Sequence, residues 1–289
     1  MAKTPVFFIA LLLTTPVISF SQKVTGRLKF EQGRTLEIQL QLKTTISQEA
    51  MGQAIDFTVD GTGIHTYQVT NATDDNNTLH HQPKHIAFTF DGMGQKRSFD
   101  SDNEKDMNGQ FGKPIKEVLA KKFDMIIDTA GKVLMVAPEK VDTAKMDDRL
   151  AIITNMLKDV LDVVQPPQKG SASFFKVLPE TETGKGDKWA DTLVNGSIKS
   201  ITTYTLTDIN DSTIIINLVG NSVTVTKAQM MGNETTTSMN NKTTGAITVD
   251  RLSGIVREKK ITTESNGTTE STFGSLPVTS KKTILITVK

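Results

Sequence analysis

Seven apolar residues, Met146, Leu150, Ile153, Leu157, Val160, Leu161 and Val164, recur at the three-and-four spacing of one helical face. Asp142 or Thr143 can cap the start, Asp147 and Asp148 sit near the positive end of the dipole, and Pro166-Pro167 stops it. The spacing predicts a helix over Asp142–Val164. Burying such a face stabilises by roughly 1.5–3 kcal/mol per side chain, before ordering entropy is subtracted. Nearly everything on either side reads as β-strand. The expected class is therefore α+β and mainly antiparallel β. Curved sheets or a half-barrel would pack on one long central helix plus a short one.

The strands follow from alternation. Leu36, Ile38, Leu40 and Leu42 take one side while Glu37, Gln39, Gln41 and Lys43 take the other. Ile55–Val59 and Ile64–Val69 flank Asp60-Gly61, a hairpin signal, and Ile86–Phe90 resumes the sheet before a turn at Asp91–Gly94. Pro114 sits at a first helical position ahead of Ile115, Val118, Leu119 and Phe123, which predicts the short helix. Ser197–Leu206, Thr213–Val219, Ser222–Thr226, Gly245–Asp250, Ile255–Lys260 and Lys282–Val288 are strand candidates, with Asn266-Gly267 a further hairpin signal. Two hairpins share one form, strand-Asp-turn-Gly-strand, at Asp128…Gly131 and Asp250…Gly254. Tyr67 and Tyr204 sit in matching frames, which suggests two related β-rich halves.

The first residues have the layout of a secretory signal: Lys3, the apolar run Val6–Leu13, and Ser19-Phe20-Ser21 ahead of Gln22. The run is too short and interrupted to span a bilayer, so no transmembrane segment is expected after cleavage. The expected division is 1–21 signal peptide, 22–137 N-terminal half, 138–168 central helix and 169–289 C-terminal half, the halves able to form one domain. With no cysteine in the chain, neither a disulfide framework nor a lipidation cysteine exists. The 33 basic and 32 acidic residues balance, which gives no electrostatic reason to bind nucleic acid.

Chemistry-bearing clusters are few. His80, His81 and His85, with His65 nearby, could ligate a transition metal, but in a strand His80 and His81 face opposite ways and Pro83 interrupts a helix. Asp100–Asp106 alternates acidic oxygens as a calcium loop does. Lys105 and Phe111 occupy the positions where such a loop needs glycine and glutamate. Gly61-Thr62-Gly63 and Gly92-Met93-Gly94 read as turn glycines rather than phosphate cradles, and no cofactor is expected. There is no nucleophile elbow and no cysteine nucleophile, which leaves a hydrolase as a third reading behind two non-catalytic ones.

Several short elements resemble the uncharacterised secreted proteins of Bacteroidota. They are Ser19-Phe20-Ser21 before Gln22, Phe99-Asp100-Ser101, Phe123–Val136 with Asp128…Gly131, Leu178-Pro179 followed by Gly186-Asp187-Lys188-Trp189, and Gly245-x-Ile247-x-Val249-Asp250…Gly254. That resemblance implies export to the periplasm or beyond the cell and assigns no catalytic residue. More loosely, long antiparallel strands around amphipathic helices are similar in fold to bacterial lipoprotein-carrier half-barrels.

The first expectation is a non-catalytic envelope protein that binds a lipid or another hydrophobic small molecule between sheet and helix. Met125, Met135, Met146, Leu150, Ile153 and Leu157 would line that site. The alternative is a structural or protein-interaction module with a filled core, its partner another envelope protein.

Overall fold

The computed structural model describes residues 22–50, 53–92, 94–138, 157–162, 166–195, 198–230, 233–271 and 274–289. Long antiparallel strands dominate it. In chain order they are β1 (Lys23–Val24), β2 (Thr35–Ala50), β3 (Gln53–Ala72), β4 (Asn76–Gly92), β5 (Gln95–Asp100), β6 (Phe123–Asp128) and β7 (Val133–Pro138). After them come β8 (Thr183–Gly184), β9 (Lys188–Asn195), β10 (Ile198–Ile209), β11 (Thr213–Met230), β12 (Asn233–Asp250), β13 (Val256–Ser271) and β14 (Gly274–Val288). Twelve of these form one open sheet in the order β7-β6-β4-β3-β2-β14-β13-β12-β11-β10-β9, with β5 also on β4. β1 and β8 make a separate two-stranded pair. Strands from both halves of the chain thus share one sheet, joined where β2 pairs with β14.

The class differs from the α+β expectation. Among the described residues the helices are three and short: α1 (Glu104–Met107), α2 (Gly112–Leu119) and α3 (Lys158–Asp162). No long central helix appears among them, and the fold is mainly antiparallel β. Of the predicted helix over Asp142–Val164, only α3 and Leu157 before it are described; Met146, Leu150 and Ile153 lie outside the described residues. The physical reason is strand length. Threonine- and asparagine-rich stretches that carry little apolar signal continue the ladders, so β3, β11 and β12 reach 20, 18 and 18 residues. At about 3.3 Å per residue such strands run roughly 60 Å.

Two glycine signals that read as hairpins lie inside strands, and both serve close approach. Gly61 and Gly63 sit mid-β3 beneath α3. A Cβ on Gly61 would come within 2.8 Å of Leu157 Cδ2, and one on Gly63 within 3.1 Å of Val160 Cγ1. Gly267 lies mid-β13, where a Cβ would meet the Ser238 carbonyl of β12 at 1.9 Å.

The inner face, beneath the helices, holds the core. One cluster joins Leu36, Ile38, Leu40, Val59, Leu79, Ile86, Phe123, Leu157, Val160 and Phe175. A second, on the C-terminal half, joins Leu178, Leu206, Ile214, Ile216, Ile247 and Val249. Lys259 stands between buried neighbours Ile247 and Ile286 in register. Its ammonium donates to the Phe174 carbonyl at 2.9 Å, lies 4.3 Å above the Phe174 ring, and is drawn by burial to a pKa of about 8. The segment 25–30 crosses the same end of the sheet. Gly26, Leu28 and Lys29 donate their backbone N–H groups to Pro179, Thr129 and Ser253, tying the two Asp-turn-Gly hairpins together.

His65, Tyr67 and His81 are buried in the first cluster, with His81 4.4 Å from the Phe123 ring and 4.7 Å from the Tyr67 ring. Neither imidazole has a hydrogen-bond partner. Burial lowers the pKa of His65 to about 4; that of His81 falls to about 3 through burial and then the neighbouring His65 and His80. Both rings are therefore neutral in the folded protein at pH 7.

Two outcomes follow. Gly61→Val forces a branched side chain into Leu157 and is expected to cost about 1–3 kcal/mol, read as a lower urea midpoint. An unfolded imidazole takes up a proton near pH 6.5, whereas these folded ones resist until pH 4 or below. Stability is thus fully present above pH 6.5 and falls as pH drops through that window, by about 2–3 kcal/mol per imidazole at pH 4.5. Urea midpoints at pH 7.5 and 4.5 should differ less in His65→Phe and His81→Phe than in the parent.

Candidate functional site

The sequence-predicted site residues are dispersed. His80, His81 and His85 share β4 but part company: His80 turns to the outer face and meets Asp124 at 2.8 Å, while His81 is in the core. His85 reaches the acidic loop instead, with Nε2 2.9 Å from Asp100 Oδ1 and 3.8 Å from Asp102 Oδ2. These three side chains could hold a metal ion by proximity. The surroundings argue for a structural role. Asp100 Oδ1 also accepts the Asp102 N–H, and Asp106 accepts the Asp100 N–H. These contacts, the Asp102 N–H first and His85 next, hold the Asp100 carboxyl below its ordinary range. His85 Nδ1 is buried without a partner, so its proton belongs on Nε2, donated to Asp100. A metal on Nε2 would leave an Nδ1–H with nothing to orient it.

Of the residues expected to line an apolar site, Met125, Met135 and Leu157 are described, while Met146, Leu150 and Ile153 lie outside the described residues. Met125 is buried on the inner face of β6, whereas Met135 pairs across from Ile126 and is exposed. Leu157 fills the space over Gly61. Two clefts among the described residues lie on the opposite, outer face. The larger, about 780 Å³, spans β13, β14, β2, β3, β4 and β5. Its charged members include Lys43 and Asp60, 3.9 Å apart, and Asp100 and Asp106, whose oxygens already accept backbone N–H groups.

The smaller cleft adjoins the one feature that sequence reading missed. Among the described side chains of β9, β10 and β11, seven large apolar ones are exposed: Leu193, Val194, Ile198, Ile201, Val219, Val223 and Val225. Register sorts them. Val223 pairs with Lys199, which pairs with Val194; Ile201 pairs with Asn221 and Val219 with Thr203. Val194, Ile201, Val219, Val223 and Val225 therefore form a strip on the outer face, while Leu193 and Ile198 face inward. Ile201 and Val223 line a cleft of about 420 Å³ that also takes in Lys199, Lys242, Asn221, Asn240 and Asn266.

Beside the strip lies the open edge of the sheet. β9 pairs with β10 on one side and, among the described residues, has no strand on the other. The other edges carry protection. β7 is bridged by the segment 170–173, through Lys132 to Ala172 and Val133 N–H to the Ser171 carbonyl, and ends in Pro138; β5 presents Lys96 and Arg97. On β9 the charges are Lys188 at its start and Asp191, which is hydrogen-bonded to Tyr204. Trp189 stacks on Tyr204 with ring centroids 5.6 Å apart, fixing the start of the strand against the second core cluster. The signal in the sequence was Leu193-Val194, adjacent apolar residues that a strand must send to both faces.

The outer face elsewhere is charged: Lys281 and Glu264 pair at 3.2 Å, and Lys43 lies near Asp60. No described helix is long and apolar enough to cross a membrane.

No curated protein matches the chain. Among solved structures, lipovitellin is similar at 10% identity over 90% of this chain, with a TM-score of 0.45; the chain spans 26% of that structure. An outer membrane channel from Pseudomonas putida F1 is similar at 7% identity, covering 91% of this chain and 98% of that one, TM-score 0.21. The β domain of the Bordetella autotransporter BrkA is similar at 8% identity, covering 89% and 99%, TM-score 0.23. At these scores the likenesses bear on neither fold nor ligand. Residues 74–256, more than half of the chain, match the model of a family of unknown function, and the chain therefore belongs to that family, DUF6263.

Proposed function

We propose that this is an exported, non-catalytic protein-interaction module that works through the outer strip and open edge of its C-terminal half. The carrying observation is the set of exposed apolar side chains on three adjacent strands, next to an edge that lacks the protection of the others. Contiguous exposed apolar surface rimmed by polar groups is the usual mark of a protein contact, since leaving it in water is unfavourable. The seating of Leu157 and Val160 over the β3 glycines supports a filled seam there rather than a ligand chamber. The His85 cluster supports a loop anchor rather than a reaction centre.

The test is photo-crosslinking in the native host, with a photoreactive residue at Val194 or Val223 and, as control, at Thr58 on the outer face of β3. Discrete protein adducts at the first two positions and none at Thr58 are expected. Adducts to lipid alone, or no difference between strip and control, would overturn the reading. Val223→Glu should abolish the adduct at Val194 while leaving the urea midpoint within about 0.5 kcal/mol of the parent, as for a surface substitution.

A further inference from the structure

We infer that the open edge of β9 pairs with β9 of a second copy of this chain, antiparallel across a two-fold axis centred on Leu193. This deepens the protein-contact reading and rests on it. An uncovered edge offers alternating backbone N–H and C=O groups, which an extended backbone satisfies better than any other ligand. The identity of that backbone follows from the strand's own sequence.

A two-fold axis perpendicular to the sheet keeps inner face continuous with inner face, so residue i can only oppose residues of the same parity. Within Lys188–Asn195, four registers pair five or more residues, centred on Ala190, Asp191, Thr192 or Leu193. The first sets the Asp191 carboxylate opposite Trp189 of the other copy. The second sets it against its own counterpart, a like-charge contact. The third sets it opposite Leu193. Only the fourth opposes Leu193 to Leu193 and Thr192 to Val194, with Asp191 facing an asparagine position. Leu193 and Val194, 54% and 70% exposed in the single chain, are the residues that this register covers. The pairing closes on itself and uses the unprotected edge, so it yields a dimer rather than a fibre.

The chain has no cysteine, which makes the test direct. Leu193→Cys places one thiol per chain at the axis, where it faces only its own counterpart. Under mild oxidation at micromolar concentration, Leu193→Cys should form a disulfide-linked dimer at least tenfold faster than Thr58→Cys on the far outer face. Sedimentation velocity of the unmodified full chain should show a reversible monomer–dimer equilibrium that Leu193→Asp shifts to monomer, its thermal melt matching the parent's at dilutions where the parent is monomeric. A monomer at 100 μM, with Leu193→Cys crosslinking no faster than the control, would overturn the inference. If the strip still gave adducts to other proteins in the host, the protein-contact reading would survive that failure. If it gave none, both would fall.

Discussion

The pairing of β2 with β14 is the contact on which the architecture depends. Its register runs from Ile38 opposite Val288 to Gln48 opposite Val278, joining the first and last long strands of the chain. Most other ladders of the path link strands that are neighbours in sequence and close over short turns. This one closes over nearly the whole chain and pays the largest loop entropy, which inner-face burial of Ile38, Leu40, Leu42 and Ile286 offsets. Because it forms, the two halves become one sheet with shared edges, and the C-terminal edge falls to β9.

The strands outrun their core. On β12 the inner face is apolar at Val249 and Ile247 and then turns mostly polar, through Gly245, Thr243, Asn241, Met239 and Thr237. Toward that end, cohesion comes from ladder hydrogen bonds and cross-strand hydroxyl pairs, such as Thr243 with Thr263 at 3.0 Å and Thr237 with Thr269 at 2.9 Å. At the other end the Asp-turn-Gly hairpins, segment 25–30 and the Lys259–Phe174 contact close the structure. Asp250 is the firmest of these points. Burial raises its pKa, but the Ser253 N–H, the Arg257 guanidinium and the Ser253 hydroxyl outweigh that and hold it at about 2.

Local chemistry was readable in the sequence; topology was not. The Asp128 and Asp250 turns form as expected, each aspartate accepting N–H groups of its own turn, with Gly131 and Gly254 at φ of 82° and 70°. The alternation of Leu36–Leu42 was equally plain; the short helix forms too, but it starts at Gly112 with Pro114 third, and Phe123, expected on it, lies in β6. Gly61 and Gly267 misled because a glycine that admits a neighbouring element and one that turns the chain look alike in one dimension. The apolar period of Asp142–Val164 weighed too heavily in the class, against threonine-rich strands whose regularity shows only when paired. Of the histidines, the opposed directions of His80 and His81 were legible, whereas the meeting of His85 with Asp100 needed the β4–β5 pairing. The exposed strip escaped because the sequence does not show which face of β11 the core covers, and Val219 and Val223 fall on the uncovered one.

The most direct measurement is residue-resolved amide hydrogen exchange on dilute protein, comparing β9 with the β2–β14 seam. An open edge on a continuous sheet gives the slowest exchange along Ile38–Leu42 and Ile284–Val288, and on β9 an alternating pattern, protected where N–H points to β10 and fast where it points away. Uniform protection along Lys188–Asn195 at dilution would mean that the chain covers this edge itself. Fast exchange along the seam would mean that the two halves do not share a sheet. Either result would contradict an architecture whose working surface is the free edge of one joined sheet.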